Sequence, residues 1–412
     1  MLAVGGIAVA LGGTRDTPAP ARSGAAPSAT ASPSASPAAT AWAAAGAFYT
    51  PPRDVPSEPG RLIRSERFTR DVPDGAEGWR ILYTTTRGDG AAAVASALVV
   101  APTAGTGPWP VIDWAHGTTG YAPACAPSLA AHPFEEGGLD DLSQVIAAGW
   151  AVVATDYIGL GTAGPQPYLI GPDTAHAVLD AARAARELGA AHLGSANVVW
   201  GHSQGGNAAL WAGDEAAQYA PDLELDGVAA LAPASDLSAV AARLPDIDGG
   251  LYGAYVVTAY SATYGDVGFD RYIRPDARTL VRAAVAECPG AGEDESAIDT
   301  LEGMPDSAVF SASPDSGPIA KRLAQNVPPA DIGAPLLIAQ GEADTLVLPA
   351  MQDAYVDRLC AAGQRLDYRR YRGRDHLTLV EGDSPLISDL VAWTRARFAG
   401  AAVPAGCTRS ER

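Results

Sequence analysis

Ser203 lies at the centre of the sequence Gly-His-Ser-Gln-Gly, residues 201–205. The largely apolar residues 197–200 before it are typical of a short buried strand, and the small residues after it are compatible with a helix. A serine on a tight strand-to-helix turn has a strained backbone and an exposed hydroxyl, and the flanking glycines leave room for strand and helix to approach. The pattern therefore predicts that Ser203 is a nucleophile, with the free N–H groups of the next helix directed at an oxyanion formed there.

A serine hydroxyl is a poor nucleophile at neutral pH and needs a base to take its proton. The chain contains 6 histidines, and only His376 follows Ser203. It lies in a glycine-containing loop directly after the strand-like segment 365–368. A triad with the chain order Ser, acid, His requires its base in such a place. We therefore predict that His376 is the general base, and we expect His116 to bond loop backbone instead.

The acid of such a triad should follow the preceding strand. Asp344 comes shortly after the apolar segment 335–340. It would hold the imidazole in the right tautomer and stabilise the imidazolium that forms. Order and spacing alone leave Glu342 as a second candidate and Asp375 as a third.

Two backbone N–H groups are needed to stabilise the oxyanion of a tetrahedral intermediate. One is predicted to be the N–H of Gln204, the residue after the nucleophile. The other should come from the loop after an earlier strand. The apolar segment 111–115 runs into such a loop, His-Gly-Thr, and Thr118 is the predicted second donor.

Short apolar segments alternate with helical ones along most of the chain, which is typical of a mostly parallel sheet with helices on both faces. This pattern predicts an α/β fold. Strands are predicted over 82–86, 94–101, 111–115, 151–155, 197–200, 227–231, 335–340 and 365–371. Helices are predicted over 142–148, 175–188, 208–219, 350–361 and 386–398.

About 360 residues is long for a single unit of this kind, so an insertion is expected, and it falls between the strands ending at residue 233 and starting at 335. We therefore predict a core formed by 48–234 plus 329–412, with an inserted helical cap over 235–328. The cap contains an apolar stretch, 251–260, with four tyrosines through Tyr264. Packing of the cap core is the favoured interpretation of these side chains, and an acyl-chain channel is the alternative.

Taken together, these motifs resemble the secretory lipase family of α/β-hydrolases, the lipase-A-type lipases and esterases of microbes. Besides the elements above, the resemblance rests on Ala-His-Gly-Thr-Thr-Gly at 115–120, Cys-Ala-Pro-Ser at 125–128 and Thr-Asp-Tyr-Ile-Gly-Leu-Gly at 155–161. It runs from about residue 45 to the C-terminus. It implies an α/β-hydrolase fold, a helical cap over an acyl-binding cleft, and a secreted carboxylic ester hydrolase. Well-known lipase members carry an acidic residue in the oxyanion loop where this chain has His-Gly-Thr, so their preference for lipid interfaces is not implied.

The 4 cysteines suit two disulfides in an oxidising compartment, and spacing alone leaves three connectivities open. The family resemblance implies the pairs Cys125–Cys288 and Cys360–Cys407. The formal net charge of −19 is a poor match for nucleic acid or an anionic membrane surface.

Residues 2–13 are apolar, about as long as the apolar region of a signal peptide and too short to span a membrane, although no Arg or Lys precedes them. Residues 13 to about 47 are rich in Ala, Ser, Pro and Thr, which predicts a disordered linker. Residues 1–47 are therefore expected to lie outside the packed core.

We predict a secreted serine hydrolase, a lipase or carboxylesterase, that acts through an acyl-enzyme on small-molecule or lipid esters without a metal or cofactor. We expect a monomer with no nucleic-acid partner and at most transient contact with lipid surfaces. A serine peptidase or acyltransferase of the same fold is one alternative. A non-catalytic binding protein of this fold is another, usually marked by a damaged triad. The sequence leaves the acyl-chain preference open.

Overall fold

The computed structural model describes residues 42–135, 139, 142–244, 250–290 and 296–412. The predicted signal-peptide-like segment and most of the predicted linker lie outside these residues. The last part of that linker is packed: the N–H of Ala45 donates to the carbonyl of Gly161 at 2.8 Å, and the N–H of Gly164 donates to that of Trp42 at 3.1 Å. Residues 42–47, which the sequence analysis assigned to the linker, therefore include backbone that is bonded to the loop after β5.

The strands of the described chain form one sheet. Their bounds are β1 (Leu62–Phe68), β2 (Ala76–Thr86), β3 (Ala92–Pro102), β4 (Trp109–Ala115), β5 (Ala151–Ile158), β6 (Leu193–His202), β7 (Gly227–Leu231), β8 (Leu336–Gly341), β9 (Leu366–Tyr371) and β10 (Cys407–Glu411). Their spatial order is β1-β2-β3-β5-β4-β6-β7-β8-β9-β10. The pairs among β1, β2, β3 and β5 are antiparallel, and all pairs from β5 through β4 to β10 are parallel. The mostly parallel sheet predicted from the sequence is confirmed.

Helices cover the sheet on both faces. Their bounds are α1 (Leu142–Ala147), α2 (Gly171–Arg186), α3 (Gln204–Tyr219), α4 (Leu237–Ala242), α5 (Gly250–Thr263), α6 (Phe269–Tyr272), α7 (Arg278–Ala284), α8 (Ser296–Glu302), α9 (Asp306–Val309), α10 (Gly317–Gln325), α11 (Pro349–Ala361) and α12 (Pro385–Phe398). On one face α2 and α3 pack on the sheet through many alanines, joined by larger apolar side chains of α11. On the other face α1 and α12 pack through leucine, valine and isoleucine side chains. Among the described residues, no helix has the length and apolar character that crossing a bilayer requires.

Helices α4 to α10 all lie between β7 and β8, in the segment for which a cap is predicted. They share an apolar core of their own, built around α5. Tyr121, Tyr168 and neighbouring residues of the sheet-bearing part join that core. Most side chains of the stretch 251–260 are buried, which agrees with core packing as the role of the majority.

Two strands lie outside the predicted set, β1 and β10, at the two edges of the sheet. Both are rich in charged and hydroxyl side chains, Leu-Ile-Arg-Ser-Glu-Arg-Phe and Cys-Thr-Arg-Ser-Glu. An edge strand has only one hydrogen-bonded neighbour and is often polar, so its sequence lacks the apolar signal of a central strand.

Candidate active site

Ser203 lies at the junction between β6, which ends at His202, and α3, which begins at Gln204. Its backbone has φ 55° and ψ −116°, a conformation that is unfavourable for a residue with a side chain. Backbone bonds hold it there: the N–H of Ser203 donates to the carbonyl of Leu231 at 2.9 Å, and its carbonyl accepts from the N–H groups of Ala234 and Asn207, both at 3.1 Å. The serine therefore lies on a strained turn at the carboxyl edge of the sheet.

The glycines around Ser203 allow the close approach that this turn needs. A Cβ atom at Gly201 would collide with the carbonyl of Gly205, and one at Gly205 would collide with that of Ala115 at the end of β4. A Cβ atom at Gly206 would lie 2.7 Å from the Cα atom of Pro233. In each case the obstacle is backbone, which cannot move aside as a flexible side chain would.

Ser203, His376 and Asp344 form a continuous chain of hydrogen bonds. The Nε2 atom of His376 lies 2.9 Å from Oγ of Ser203, and its Nδ1 atom lies 2.8 Å from Oδ2 of Asp344. The three residues follow β6, β9 and β8, which are parallel, so their loops leave the same edge of the sheet. The structure thus brings together the three residues that the sequence analysis selected.

The carboxylate of Asp344 is fully buried and held from several directions. Its Oδ1 atom accepts from the N–H groups of Leu346 at 2.9 Å and Val347 at 2.8 Å. Its Oδ2 atom accepts from Nε2 of Gln340 at 2.9 Å as well as from His376. These donors fix the carboxylate against the imidazole. Gln340 was not among the residues predicted from the sequence. A glutamine at the end of an apolar strand needs a buried hydrogen-bond partner, and this need could have indicated its role.

The two other acid candidates lie in different surroundings. The carboxylate of Glu342 is 3.5 Å from the guanidinium of Arg370. The carboxylate of Asp375 accepts bonds from the N–H groups of Leu377 and Thr378 and from the Thr378 hydroxyl. Neither is hydrogen-bonded to the imidazole of His376 among the contacts of the described residues.

Two further histidines lie beside this chain of hydrogen bonds. The Nε2 atom of His202 donates to the carbonyl of His376 at 2.9 Å, which fixes the backbone that carries the imidazole. Burial, with a smaller effect of the neighbouring His376, lowers the pKa of His202 to about 3. The Nδ1 atom of His116 lies 2.6 Å from the carbonyl of Gly117, and burial lowers the pKa of His116 to about 4. Both rings are therefore neutral at pH 7. His116 bonds loop backbone, as expected.

The loop after β4 passes beside the nucleophile. A Cβ atom built on Gly117 would lie 3.9 Å from Cβ of Ser203. Thr118 follows at once, and its hydroxyl lies 2.8 Å from that of Tyr168. Gln204 occupies the first position of α3, where backbone N–H groups lack partners within the helix. Gln204 thus directly follows the serine, and Thr118 directly follows the glycine that passes beside it. Their role as oxyanion donors stays a prediction.

A buried carboxylate, Asp156, connects two of the motifs that carried the family resemblance, the segments 125–128 and 155–161. It accepts bonds from the N–H and hydroxyl of Ser128 and from the hydroxyl of Ser96. The Ser128 hydroxyl also lies 2.8 Å from that of Tyr49. Burial raises the pKa of Asp156 above its ordinary value. This network ties the segment 125–128 to the end of β5 and gives both motifs a structural role.

The cysteines pair as the family resemblance implies. Cys125 is joined to Cys288, which links the segment after the oxyanion loop to the cap, and Cys360 is joined to Cys407, which links α11 to β10. Among the described residues, no group of three or more His, Cys, Asp or Glu side chains is arranged to hold a metal ion.

A large, mostly parallel sheet, a serine on a strand-to-helix turn, and an acid and a histidine from later loops define an α/β-hydrolase. Among solved structures, lipase A from Candida antarctica in its closed state matches with a TM-score of 0.73 over 88% of both chains, at 19% identity. The rice cell wall degrading esterase LipA from Xanthomonas oryzae matches with a TM-score of 0.67 over 84% of this chain and 97% of that one, at 19% identity. These likenesses confirm the predicted fold.

Residues 139–406 match the family model described as secretory lipase. The chain belongs to the secretory lipase family, a secreted family of lipase- and esterase-type hydrolases, as the motifs indicated. Lipase A from Arthroderma benhamiae is 27% identical over 397 residues, covering 88% of this chain and 81% of that one. A Mycobacterium tuberculosis protein named as a probable inactive lipase is 28% identical over 385 residues, covering 86% of this chain and 82% of that one.

Proposed function

We propose that this protein hydrolyses carboxylic esters through an acyl-enzyme formed on Ser203. The observation that carries the proposal is the chain of hydrogen bonds from Ser203 through His376 to Asp344, at 2.9 and 2.8 Å. Membership of a family of lipases supports an ester as the substrate.

The hydroxyl oxygen of Ser203 attacks the carbonyl carbon of the ester while Nε2 of His376 takes its proton. Asp344 stabilises the resulting imidazolium through Nδ1. The oxyanion lies against the backbone N–H groups of Gln204 and Thr118, and loss of one such donor typically costs about 3 kcal/mol of barrier. His376 then gives its proton to the departing alcohol, and water, activated by the same imidazole, releases the acid and regenerates the serine.

The likeness to a protein named as inactive makes direct measurement of activity necessary. An α/β-hydrolase that serves only as a binding protein usually has a damaged triad, whereas here the three side chains are present and hydrogen-bonded. The geometry therefore favours a catalyst.

The test is a series of p-nitrophenyl esters from acetyl to palmitoyl, assayed with the wild-type protein and Ser203→Ala. We expect hydrolysis by the wild type and loss of nearly all of it in the variant. Equal hydrolysis by both proteins would refute the proposal. A maximum at short acyl chains, without a gain on emulsified triglyceride, would identify an esterase, and the opposite result a lipase.

A further inference from the structure

Three tyrosines meet between the oxyanion loop and the cap: Tyr121, Tyr168 and Tyr255, called here the tyrosine cluster. Tyr255 comes from α5 of the cap, and the other two come from loops of the sheet-bearing part. The ring centroids of Tyr168 and Tyr255 lie 5.5 Å apart, and those of Tyr121 and Tyr255 lie 6.2 Å apart in a stacked arrangement. All three side chains are almost completely buried, with 2% exposure or less.

The cluster reaches the reaction centre through Thr118. The hydroxyl of Tyr168 lies 2.8 Å from that of Thr118, the proposed oxyanion donor, and the neighbouring Gly117 passes beside Ser203. The leaving alcohol must lie at Nε2 of His376, which protonates it. The oxyanion loop, by contrast, would hold the carbonyl oxygen, which belongs to the acyl group of the ester. Because the cluster reaches the site through Thr118 of that loop, we place it on the acyl side.

Two hydroxyls of the cluster are not used by the protein. Those of Tyr121 and Tyr255 are buried and have no hydrogen-bond partner among the described residues. A buried hydroxyl without a partner is unfavourable, because it has lost its bonds to water and gained none in return. By contrast Tyr260, on the same helix as Tyr255, donates its hydroxyl to the carbonyl of Leu169 at 2.9 Å. Burial raises the pKa of both Tyr121 and Tyr255, so both hydroxyls remain protonated and act as donors.

We infer that the tyrosine cluster is a recognition site for acyl groups that carry an oxygen atom within their chain, as an ether, hydroxyl or carbonyl. The inference rests on the proposed ester hydrolysis at Ser203. The aromatic faces contact the carbon atoms of such a chain, and the hydroxyls of Tyr121 and Tyr255 donate to its oxygen. A site with buried donors discriminates strongly against an analogue that lacks the acceptor, because the donors then stay unpaired.

The test compares p-nitrophenyl hexanoate with two esters of the same chain length in which one CH₂ is replaced by oxygen, the 3-ethoxypropanoate and the 4-methoxybutanoate. The quantity of interest is the kcat/KM of each oxygen-containing ester divided by that of hexanoate. We expect Tyr255→Phe and Tyr121→Phe to lower this ratio about tenfold for the ester whose oxygen reaches the hydroxyl, which corresponds to one lost hydrogen bond. Comparison between variants cancels the intrinsic reactivity of each ester.

The matched control is Tyr260→Phe, which removes a hydroxyl from the same helix that the protein already uses, and we expect it to leave the ratio unchanged. An equal ratio in the wild type and both cluster variants, with hexanoate hydrolysis still dependent on Ser203, overturns this inference alone. Hexanoate hydrolysis that survives Ser203→Ala unchanged overturns the proposed function and this inference together.

Discussion

At the residue scale, the proposed base is fixed from three directions. Its Nδ1 atom meets Asp344, its Nε2 atom meets Ser203, and its backbone carbonyl accepts from His202. An imidazole held in this way needs little reorganisation before it takes a proton, which is the condition for efficient general-base catalysis.

Mutation can distinguish Asp344, the proposed acid, from Asp375, the residue before His376. Asp344→Asn should lower kcat by about 10⁴-fold, because the amide presents an NH₂ group to the imidazole and favours the wrong tautomer. The matched control is Asp375→Asn, in the same loop as His376, which should stay near the wild-type rate. Steady-state kinetics on a p-nitrophenyl ester measures both, and the reverse order would reassign the acid to Asp375.

Strain at the nucleophile predicts an effect on stability. Ser203 adopts φ 55° and ψ −116°, which glycine tolerates and alanine does not. Glycine relieves this strain but also makes the unfolded chain more flexible, which offsets part of the gain. We therefore expect the free energy of unfolding of Ser203→Gly to be about 1 kcal/mol higher than that of Ser203→Ala. Urea unfolding of the two inactive variants measures the difference. Equal stability would mean that the turn stores no strain.

The Gly-His-Ser-Gln-Gly motif between a strand and a helix was enough to select Ser203, and chain order then selected His376, because only one histidine follows the serine. The choice among Glu342, Asp344 and Asp375 needed three-dimensional information. The choice depends on the conformation of the loop after β8, in which Gln340 and two backbone N–H groups all donate to the carboxylate of Asp344. Such convergence has no sequence pattern of its own.

At the element scale, β4 contains an unusual residue. Asp113 is 1% exposed in the middle of the strand, and neither carboxylate oxygen has a hydrogen-bond partner among the described residues. Burial raises the pKa of Asp113 well above 3.8, against a smaller opposing effect of Arg186. The folded protein thus keeps this proton to a higher pH than the unfolded chain does.

The pH dependence of stability follows from that shift. Above about pH 4 the unfolded chain releases the Asp113 proton while the folded state retains it, so this group lowers stability as the pH rises. Asp113→Asn removes the effect. As the pH rises above about 4, the free energy of unfolding of this variant should therefore increase relative to that of the wild type, by at most about 1.4 kcal/mol per pH unit. Denaturant unfolding at a series of pH values tests this, and parallel curves for the two proteins would contradict it.

The central strands and the five core helices were predictable from apolar periodicity, with small errors at their ends. Helix α2 begins at Gly171, earlier than predicted, because Pro172 occupies a first-turn position that a helix tolerates. Strands β1 and β10 escaped detection because their charged and hydroxyl side chains lie at the sheet edges, where alternation is weak.

At the scale of the whole molecule, the disulfides connect distant segments. Cys125 and Cys288 are separated by 163 residues, and Cys360 and Cys407 by 47. In the chain-entropy model, removal of the first costs about 5 kcal/mol and removal of the second about 4 kcal/mol. Denaturant unfolding of the two double Cys→Ser variants measures these losses.

The two variants should differ more in activity than in stability. The carbonyl of Cys125 accepts from the hydroxyl of Thr119 at 2.9 Å, directly after the proposed donor Thr118. Loss of the bond to Cys288 should therefore lower kcat, whereas loss of the Cys360–Cys407 bond at the sheet edge should leave kcat near wild type. Equal activity of both variants would show that the first disulfide does not support the oxyanion loop.

The length of the segment between β7 and β8 indicated an insertion, and seven helices of the described chain lie there, but their packing could not be predicted. Helix α5 carries apolar side chains all round, so its periodicity does not show which tyrosine hydroxyl finds a hydrogen-bond partner. Only the structure shows that the hydroxyl of Tyr255 has no partner among the described residues, whereas that of Tyr260 donates to a carbonyl.

The most direct test of the proposed chemistry is covalent labelling of the folded protein with a fluorophosphonate, which reacts with an activated serine hydroxyl. Mass spectrometry of the digested product should place one phosphonate on Ser203, with no label in Ser203→Ala and very little in His376→Ala. An unlabelled Ser203 in correctly folded wild-type protein, or equal labelling of the Ser203→Ala variant, would contradict the account.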